Sequence, residues 1–378
     1  MTTNNELIGR DEINDLEAIL SVSNTDVDAV DHTVGAGFDA VFTWDYDRSR
    51  PALGKLYEKA KTSQWNVTTD LDWTTPVDQE ALALNEMNRE DVQFFGDQVD
   101  LSGTPFAKWG EKEWVELAIE GQNWTLSQFL HGEQGALLCT ARIVETVPWI
   151  DAKYYAATQV MDEARHVEVF ARYLDEKLGS QYGINDNLKG ILDDILRDPR
   201  WDIAYLGMQI MVEGLALAAF GLLHQLTTEP LLKKLLRYVM SDEARHVAFG
   251  VLSLQEFYKE LTDAEMRERQ EFAFDVACRL QRRFAHAEMW ARMGVDPDAI
   301  YRTMEKVNPP AQQMFQQLLF SKIVPNCKKL GLLDAADGWL RQRFTEIGVI
   351  QFEDWADTGD EYAALDEVEK DRAAAAGA

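Results

Sequence analysis

Residues 162–167 read Asp-Glu-Ala-Arg-His-Val, and residues 242–247 repeat the same six letters 80 positions later. Each copy contains Glu-x-x-His: Glu163 with His166, and Glu243 with His246. On a helix, positions i and i+3 share a face, so each copy aims one carboxylate and one imidazole at the same point. A single such pair is ordinarily a surface ion pair. Two further glutamates change that reading. Glu133 stands 30 residues before Glu163, and Glu213 stands 30 residues before Glu243. Pro148 falls midway in the first interval and Thr228–Pro230 midway in the second. At about 1.5 Å rise per residue, a helix climbs ~22 Å from each lone glutamate to its turn, and the next helix descends as far. Two helical hairpins then each present Glu plus Glu-x-x-His. Packed face to face they make a four-helix bundle with four carboxylates and two imidazoles converging inside.

Four carboxylates buried together repel one another until something neutralises them. Two divalent cations do so. An oxygen-rich site with one imidazole per metal suits iron or manganese better than zinc. The expected ligands are Glu133, Glu163 and His166 in one half, and Glu213, Glu243 and His246 in the other. Asp162 and Asp242 directly precede ligand glutamates, and a metal-bound imidazole normally donates its other N–H to a nearby acceptor. Asp242 is therefore expected to support His166, and Asp162 to support His246, with Arg165 and Arg245 balancing the two aspartates. The expected cavity wall is apolar: Phe129, Leu130, Leu137, Phe170, Ile210, Leu217, Phe220 and Val239. Gln159, one turn before Glu163, is its polar member. His131, two residues from Glu133, points elsewhere; His32, His224 and His286 have no ligand context.

Helical periodicity has to deliver these residues, and it dominates from Pro51 onward with no alternating strand pattern. Helices are expected over 51–65, 79–95, 111–147, 150–178, 202–226, 230–261 and 263–294, the last capped by Asp263. Shorter helices fill 296–349. Breaks at Pro148, Gly179–Gly183 and Thr227–Pro230 carry turn chemistry. The chain divides into an acidic arm (1–50), a single helical domain (51–350, with the bundle at about 111–261) and an acidic, alanine-rich tail (351–378).

Of the 378 residues 46% are apolar, enough to bury a sizeable core, and the formal net charge is −28. That charge repels phosphate backbones and anionic lipids, so neither nucleic acid nor a membrane surface is an expected partner; a basic electron-donor protein suits it. Cys139, Cys278 and Cys327 are odd in number and far apart, with no Cys-x-x-Cys, which fits a reducing compartment. The polar start has no apolar signal core, and no stretch approaches the ~18 uninterrupted apolar residues of a membrane helix. The sequence reads as cytoplasmic.

On its two Glu-x-x-His repeats and their paired upstream glutamates, the sequence resembles the ferritin-like di-iron carboxylate superfamily. That superfamily includes ribonucleotide reductase small subunits, bacterial multicomponent monooxygenases, acyl-carrier-protein desaturases and aryl-amine N-oxygenases. The Asp-Glu-x-Arg-His form, the chain length, and Lys61-Thr-Ser-Gln-Trp65 followed by Asp70-Leu-Asp72 resemble its oxygen-activating branch over about residues 51–290. The resemblance implies an all-α, ferritin-like four-helix bundle with additional N- and C-terminal helices. It also implies two iron ions or a Mn/Fe pair, O2 as co-substrate, and oxidation of a small, largely apolar or aromatic substrate by oxygenation, N-oxygenation or desaturation. A separate electron donor, a ferredoxin or flavin reductase, and a homodimer come with it. The alternatives are a ligand-binding oxidase or radical generator with a Mn/Fe centre, and a non-enzymatic iron store. Phe170 stands where most reductase small subunits carry their radical-bearing tyrosine, which excludes a tyrosyl radical there. Ala216 and Leu217 replace the threonine of the monooxygenases, and Val239 replaces the extra histidine of the N-oxygenases.

Overall fold

The computed structural model describes residues 32–35, 37–87, 102–307 and 315–359. Among these there is no strand. The helices are α1 (Pro51–Thr62), α2 (Gln79–Met87), α3 (Glu111–Thr146), α4 (Ile150–Tyr173), α5 (Asp186–Arg197), α6 (Trp201–Tyr205), α7 (Glu213–Leu226), α8 (Pro230–Phe257), α9 (Asp263–Arg283), α10 (Ala287–Arg292), α11 (Pro297–Val307), α12 (Ile323–Lys329) and α13 (Ala335–Glu346). Among the described residues the fold is all-α, with α3, α4, α7 and α8 forming a bundle at its centre.

Local chemistry sets the ends of the bundle helices. Glu113 accepts from Gly110 N–H at 2.8 Å, closing the first turn of α3. Pro148 stops α3 and leaves Trp149 extended ahead of α4. Glu229 caps α8, accepting from Leu231 N–H at 2.7 Å, while Pro230 occupies the first turn, where no N–H is needed. Helix α3 packs against α4, and α7 against α8; α4 then meets α8, and α3 meets the segment before α7. Helix α1 lies across α4 and α8, and α9 packs against α5 and that same segment. The core is rich in large side chains, Tyr155, Phe170, Tyr173, Tyr205, Phe220 and Phe249 among them, all fully buried.

Four local features differ from the sequence expectation. Residues 202–226 do not form one regular α-helix, because Leu206–Val212 is a π-helical turn leading directly into Glu213. Helix α5 lies where no element is expected, between the Gly179–Gly183 break and residue 202; Asn185 starts it, accepting from Asn187 N–H at 3.0 Å, and Asn185 N–H donates to Gln128 of α3 at 2.7 Å. Thr262, not Asp263, caps α9: its hydroxyl accepts from Glu265 N–H while Glu265 accepts from Thr262 N–H. That helix ends at Arg283 rather than Gly294, broken where His286 takes φ +52°. Residues 88–95 of the second expected helix, with most of the arm and tail, lie outside the described residues.

The rod Trp201–Leu226 is long and apolar enough to cross a membrane, with hydropathy 1.8, but 72% of its most apolar window is buried inside the bundle. Its hydropathy is that of a central helix. Gly250 on α8 allows the π turn to approach: a Cβ there would sit 2.6 Å from Gln209 Cβ and 3.2 Å from Ile210 Cδ1. Gly250→Ala is expected to destabilise the metal-free chain by about 1–3 kcal/mol through overpacking. Urea unfolding measures this, and no loss of stability would mean the π turn yields freely.

Candidate metal centre

Helices α3, α4, α7 and α8 each carry their glutamate to the same level of the bundle. Glu133, Glu163, Glu213, Glu243, His166 and His246 are all buried. Ligand atoms of Glu133, Glu163, His166 and Glu243 lie within 4.8 Å of one another, and so do those of Glu163, Glu213 and His246. His166 Nδ1 is 3.2 Å from Glu133, 3.3 Å from Glu163 and 3.1 Å from Glu243. His246 Nδ1 is 3.0 Å from Glu163 and 3.5 Å from Glu243. The six do not divide into the two separate halves of the sequence reading. Glu163 belongs to both groups, and Glu243 reaches across to the group of Glu133 and His166.

The outer nitrogens of both imidazoles face aspartates. His166 Nε2 is 3.2 Å from Asp242 Oδ2, and His246 Nε2 is 3.3 Å from Asp162 Oδ2. Arg165 and Arg245 each pair with the aspartate on their own helix and reach the other at 3.4 Å and 3.5 Å. Trp65 Nε1–H donates to Asp242 Oδ2 at 2.7 Å, and its ring stacks on Tyr238 with centroids 5.1 Å apart. With Nε2 held outward, Nδ1 is the nitrogen left to bind a cation.

The electrostatics describe a site short of positive charge. Burial, then the neighbouring Glu243 charge, pushes Glu133 well above the ordinary carboxylate range. Burial, then Glu163, does the same to Glu213. Burial alone would raise Glu163 too, but the charge of His246 and hydrogen bonds from both imidazoles hold it low. Both imidazoles are pushed well above their usual value: burial opposes this, and the Glu133 charge for His166 and the Glu163 charge for His246 outweigh it. Protons thus do in the metal-free chain what cations would do better. Glu213 Oε2 and both Glu243 oxygens are buried without a hydrogen-bond partner. Orphaned acceptors clustered at the centre of a bundle fit two oxygen-preferring cations.

Gln159 sits among the carboxylates, donating to Glu163 at 2.9 Å and Glu213 at 3.0 Å. The cavity that touches the site runs between α3 and the π turn with α7, and reaches Glu133, Glu213 and Glu243. Phe129, Gly132, Ala136, Met208, Val212, Leu215, Ala216 and Phe220 line it, with Gln128 and Arg283. Its free volume is about 20 Å³, room for about one water molecule. Of the expected wall only Phe129 and Phe220 line it; Gln159, Phe170, Leu137, Leu217 and Val239 do not. Phe170 packs behind, 5.9 Å from Phe129 and 5.8 Å from Phe220 between ring centroids. Leu137 points one residue further around α3 than Ala136, and Val239 is ordinary core. Arg283 left no signal in the spacing, because α9 lies outside the repeated hairpins. His131 bonds the Tyr182 carbonyl at 2.8 Å.

No family model and no curated protein matches the chain. Among solved structures it is similar to an R2-like ligand-binding oxidase point mutant with anaerobically reconstituted Mn/Fe cofactor. Identity is 20% and TM-score 0.48, over 75% of this chain and 94% of that one. It is also similar to an R2-like ligand-binding oxidase with aerobically reconstituted Mn/Fe cofactor, at 19% identity and TM-score 0.45, over 83% and 95%. These are likenesses of helical fold only.

Proposed function

We propose that this chain is an oxygen-dependent, two-metal oxidoreductase acting on a small, largely apolar organic molecule. The carrying observation is the convergence of four buried carboxylates and two imidazoles, several of their atoms unpartnered, on one point between four helices. Glu133, Glu163, His166, Glu213, Glu243 and His246 would hold two iron ions or a manganese–iron pair. When bound, such a centre supplies the redox chemistry that activates O2.

The chain's own residues do the rest. Asp162 and Asp242 fix the imidazole tautomers, and Gln159 ties Glu163 to Glu213. Phe129, Phe170 and Phe220 exclude bulk water, so reactive oxygen species are not quenched. Hydrogen bonds run from His166 through Asp242 to Trp65, which stacks on half-buried Tyr238; we assign this as the electron entry from a separate reductase or ferredoxin. A net charge of −28 suits a basic donor. A reducing cytoplasm and a homodimer complete the reading. The narrow cavity favours a ligand-binding oxidase, with an Fe/Fe or Mn/Fe centre, over an oxygenase with a roomy substrate chamber.

Anaerobic Fe(II) titration followed by rapid mixing with O2 tests this. Saturation near two ions per chain, with O2 uptake and a new visible absorption, is the expected result. Absence of stoichiometric binding of either Fe(II) or Mn(II) would overturn the proposal. ¹⁸O incorporated into product would decide for oxygenation over oxidase chemistry.

A further inference from the structure

Five arginines are buried among the described residues: Arg142, Arg165, Arg245, Arg269 and Arg283. Four have acceptors. Arg165 and Arg245 pair with Asp162 and Asp242, Arg269 meets Asp202 at 3.0 Å, and Arg142 donates to the carbonyls of Ile195 and Leu196. Arg283 is the exception. Its residue is 4% exposed, its Nε is buried without a partner, and its guanidinium makes no ion pair or hydrogen bond among the described residues. Its one electrostatic contact with a ring is the face of Phe284, 5.1 Å away.

A buried cation without a counter-anion is disfavoured by desolvation, and a neutral side chain of similar length would fill the same space without that cost. Burial pushes Arg283 down to about 10, which leaves it charged at neutral pH. Burial, with the Arg283 charge adding to it, pushes the nearby His286 down to about 4. No carboxylate contributes to either shift. Arg283 also lines the cavity that touches Glu133, Glu213 and Glu243. The rest of the lining is mostly apolar, Phe129, Met208, Leu215 and Phe220 among it, with Gln128 as a further polar member.

Resting on the two-metal reading above, we propose that Arg283 anchors the carboxylate of a small organic acid whose apolar body extends along this cavity toward the metal centre. A guanidinium binds a carboxylate through paired, charge-assisted hydrogen bonds, and a dry site strengthens them. The cavity as it stands holds about one water, so a ligand enters by turning side chains aside. Met208, unbranched and adaptable, is the wall residue that moves most cheaply. The four acidic ligands would otherwise repel an anion; Arg283 supplies the countercharge at the far end.

The test is isothermal titration of the full chain, loaded with Mn(II) under argon, with benzoate, benzamide, acetate and phosphate. Benzoate is expected to bind at least about tenfold more tightly than benzamide, by the strength of one charge-assisted pair, and more tightly than acetate or phosphate. Arg283→Gln should abolish the preference for benzoate over benzamide while metal loading is unchanged and Tm is equal or higher. Arg283→Lys should retain part of the preference, which keeps the test decisive if the glutamine variant folds poorly. Equal binding of benzoate and benzamide, phosphate binding as tightly as benzoate, or no binding at all would overturn the proposal. Two ions loaded without benzoate selectivity refutes only the anchor. A chain that takes up no metal refutes the function above, and the same comparison on the unloaded protein then decides about Arg283.

Discussion

Glu163→Ala is expected to abolish loading of both metals, whereas Glu213→Ala should leave one ion bound per chain. The asymmetry follows from sharing. Glu163 belongs to both groups of candidate ligands, while Glu213 belongs to one, and its loss leaves Glu133, Glu163, His166 and Glu243 in place. Loss of a shared anionic ligand should weaken each site by at least about 100-fold, beyond what loss of a supporting hydrogen bond costs. The metal-free variants should differ in the opposite way from a simple unfolding artefact. Glu213 is pushed toward its neutral form by burial and by Glu163, so its removal relieves an unfavourable burial and should leave Tm unchanged or raised. Glu163 is held ionised against two charged imidazoles, so its removal should lower Tm even without metal. Elemental analysis after equilibration with Fe(II), alongside thermal melts of the metal-free proteins, reads both effects. One ion retained in Glu163→Ala would refute the shared role.

The helical fold and the meeting of the six side chains were legible because both rest on periodicity. Glu133 and Glu163, and likewise Glu213 and Glu243, are equidistant from a proline-marked turn, and a helix's fixed rise converts that into equal height. What was not legible rests on departures from periodicity. The π turn Leu206–Val212 has no distinctive composition; Gly207 and Gly250 permit it by letting Ile195 and Gln209 approach within 2.5 Å and 2.6 Å of where a Cβ would be. Such contacts come from elements distant in the chain, which local sequence does not report. The turn supplies Met208 and Val212 to the cavity wall, and the cavity opens along Ala136, Leu215 and Ala216 rather than Leu137 and Leu217. Helix α5 has no counterpart among the expected elements, although Leu188, Ile191, Leu192 and Ile195 repeat at helical spacing and that signal was there to find. Arg283 is the extreme case: a lone cation near the end of a helix reads as surface until packing buries it.

Stability of the metal-free chain is expected to fall, and metal affinity to rise, as pH increases from 6 to 8. Glu133, Glu213, His166 and His246 all have folded-state pKa values above their unfolded ones. The folded chain therefore binds more protons than the unfolded chain through these groups, and their contribution is lost as pH climbs through the folded values. Glu163 and Asp242 act the other way. Their folded values are depressed, although burial pushes both up: the His246 charge with hydrogen bonds from both imidazoles holds Glu163 down, and His166 holds Asp242 down. What these two contribute disappears only as pH falls below the ordinary carboxylate range. The two trends place maximum stability of the metal-free protein in mildly acidic solution. Cations reverse the slope above it, because each must displace protons from the carboxylates and imidazoles it binds. Every proton released per ion makes apparent affinity rise about tenfold per pH unit, or about 1.4 kcal/mol. With one imidazole and one raised glutamate per ion, a rise of roughly 100-fold per unit is expected while both groups remain protonated in the metal-free state. Chelator competition at pH 6 and 7 measures the affinity, and melts with and without Mn(II) measure the stability. A metal-free Tm that rises from pH 6 to 8, or a metal affinity independent of pH, would mean that protons do not occupy the place of the cations.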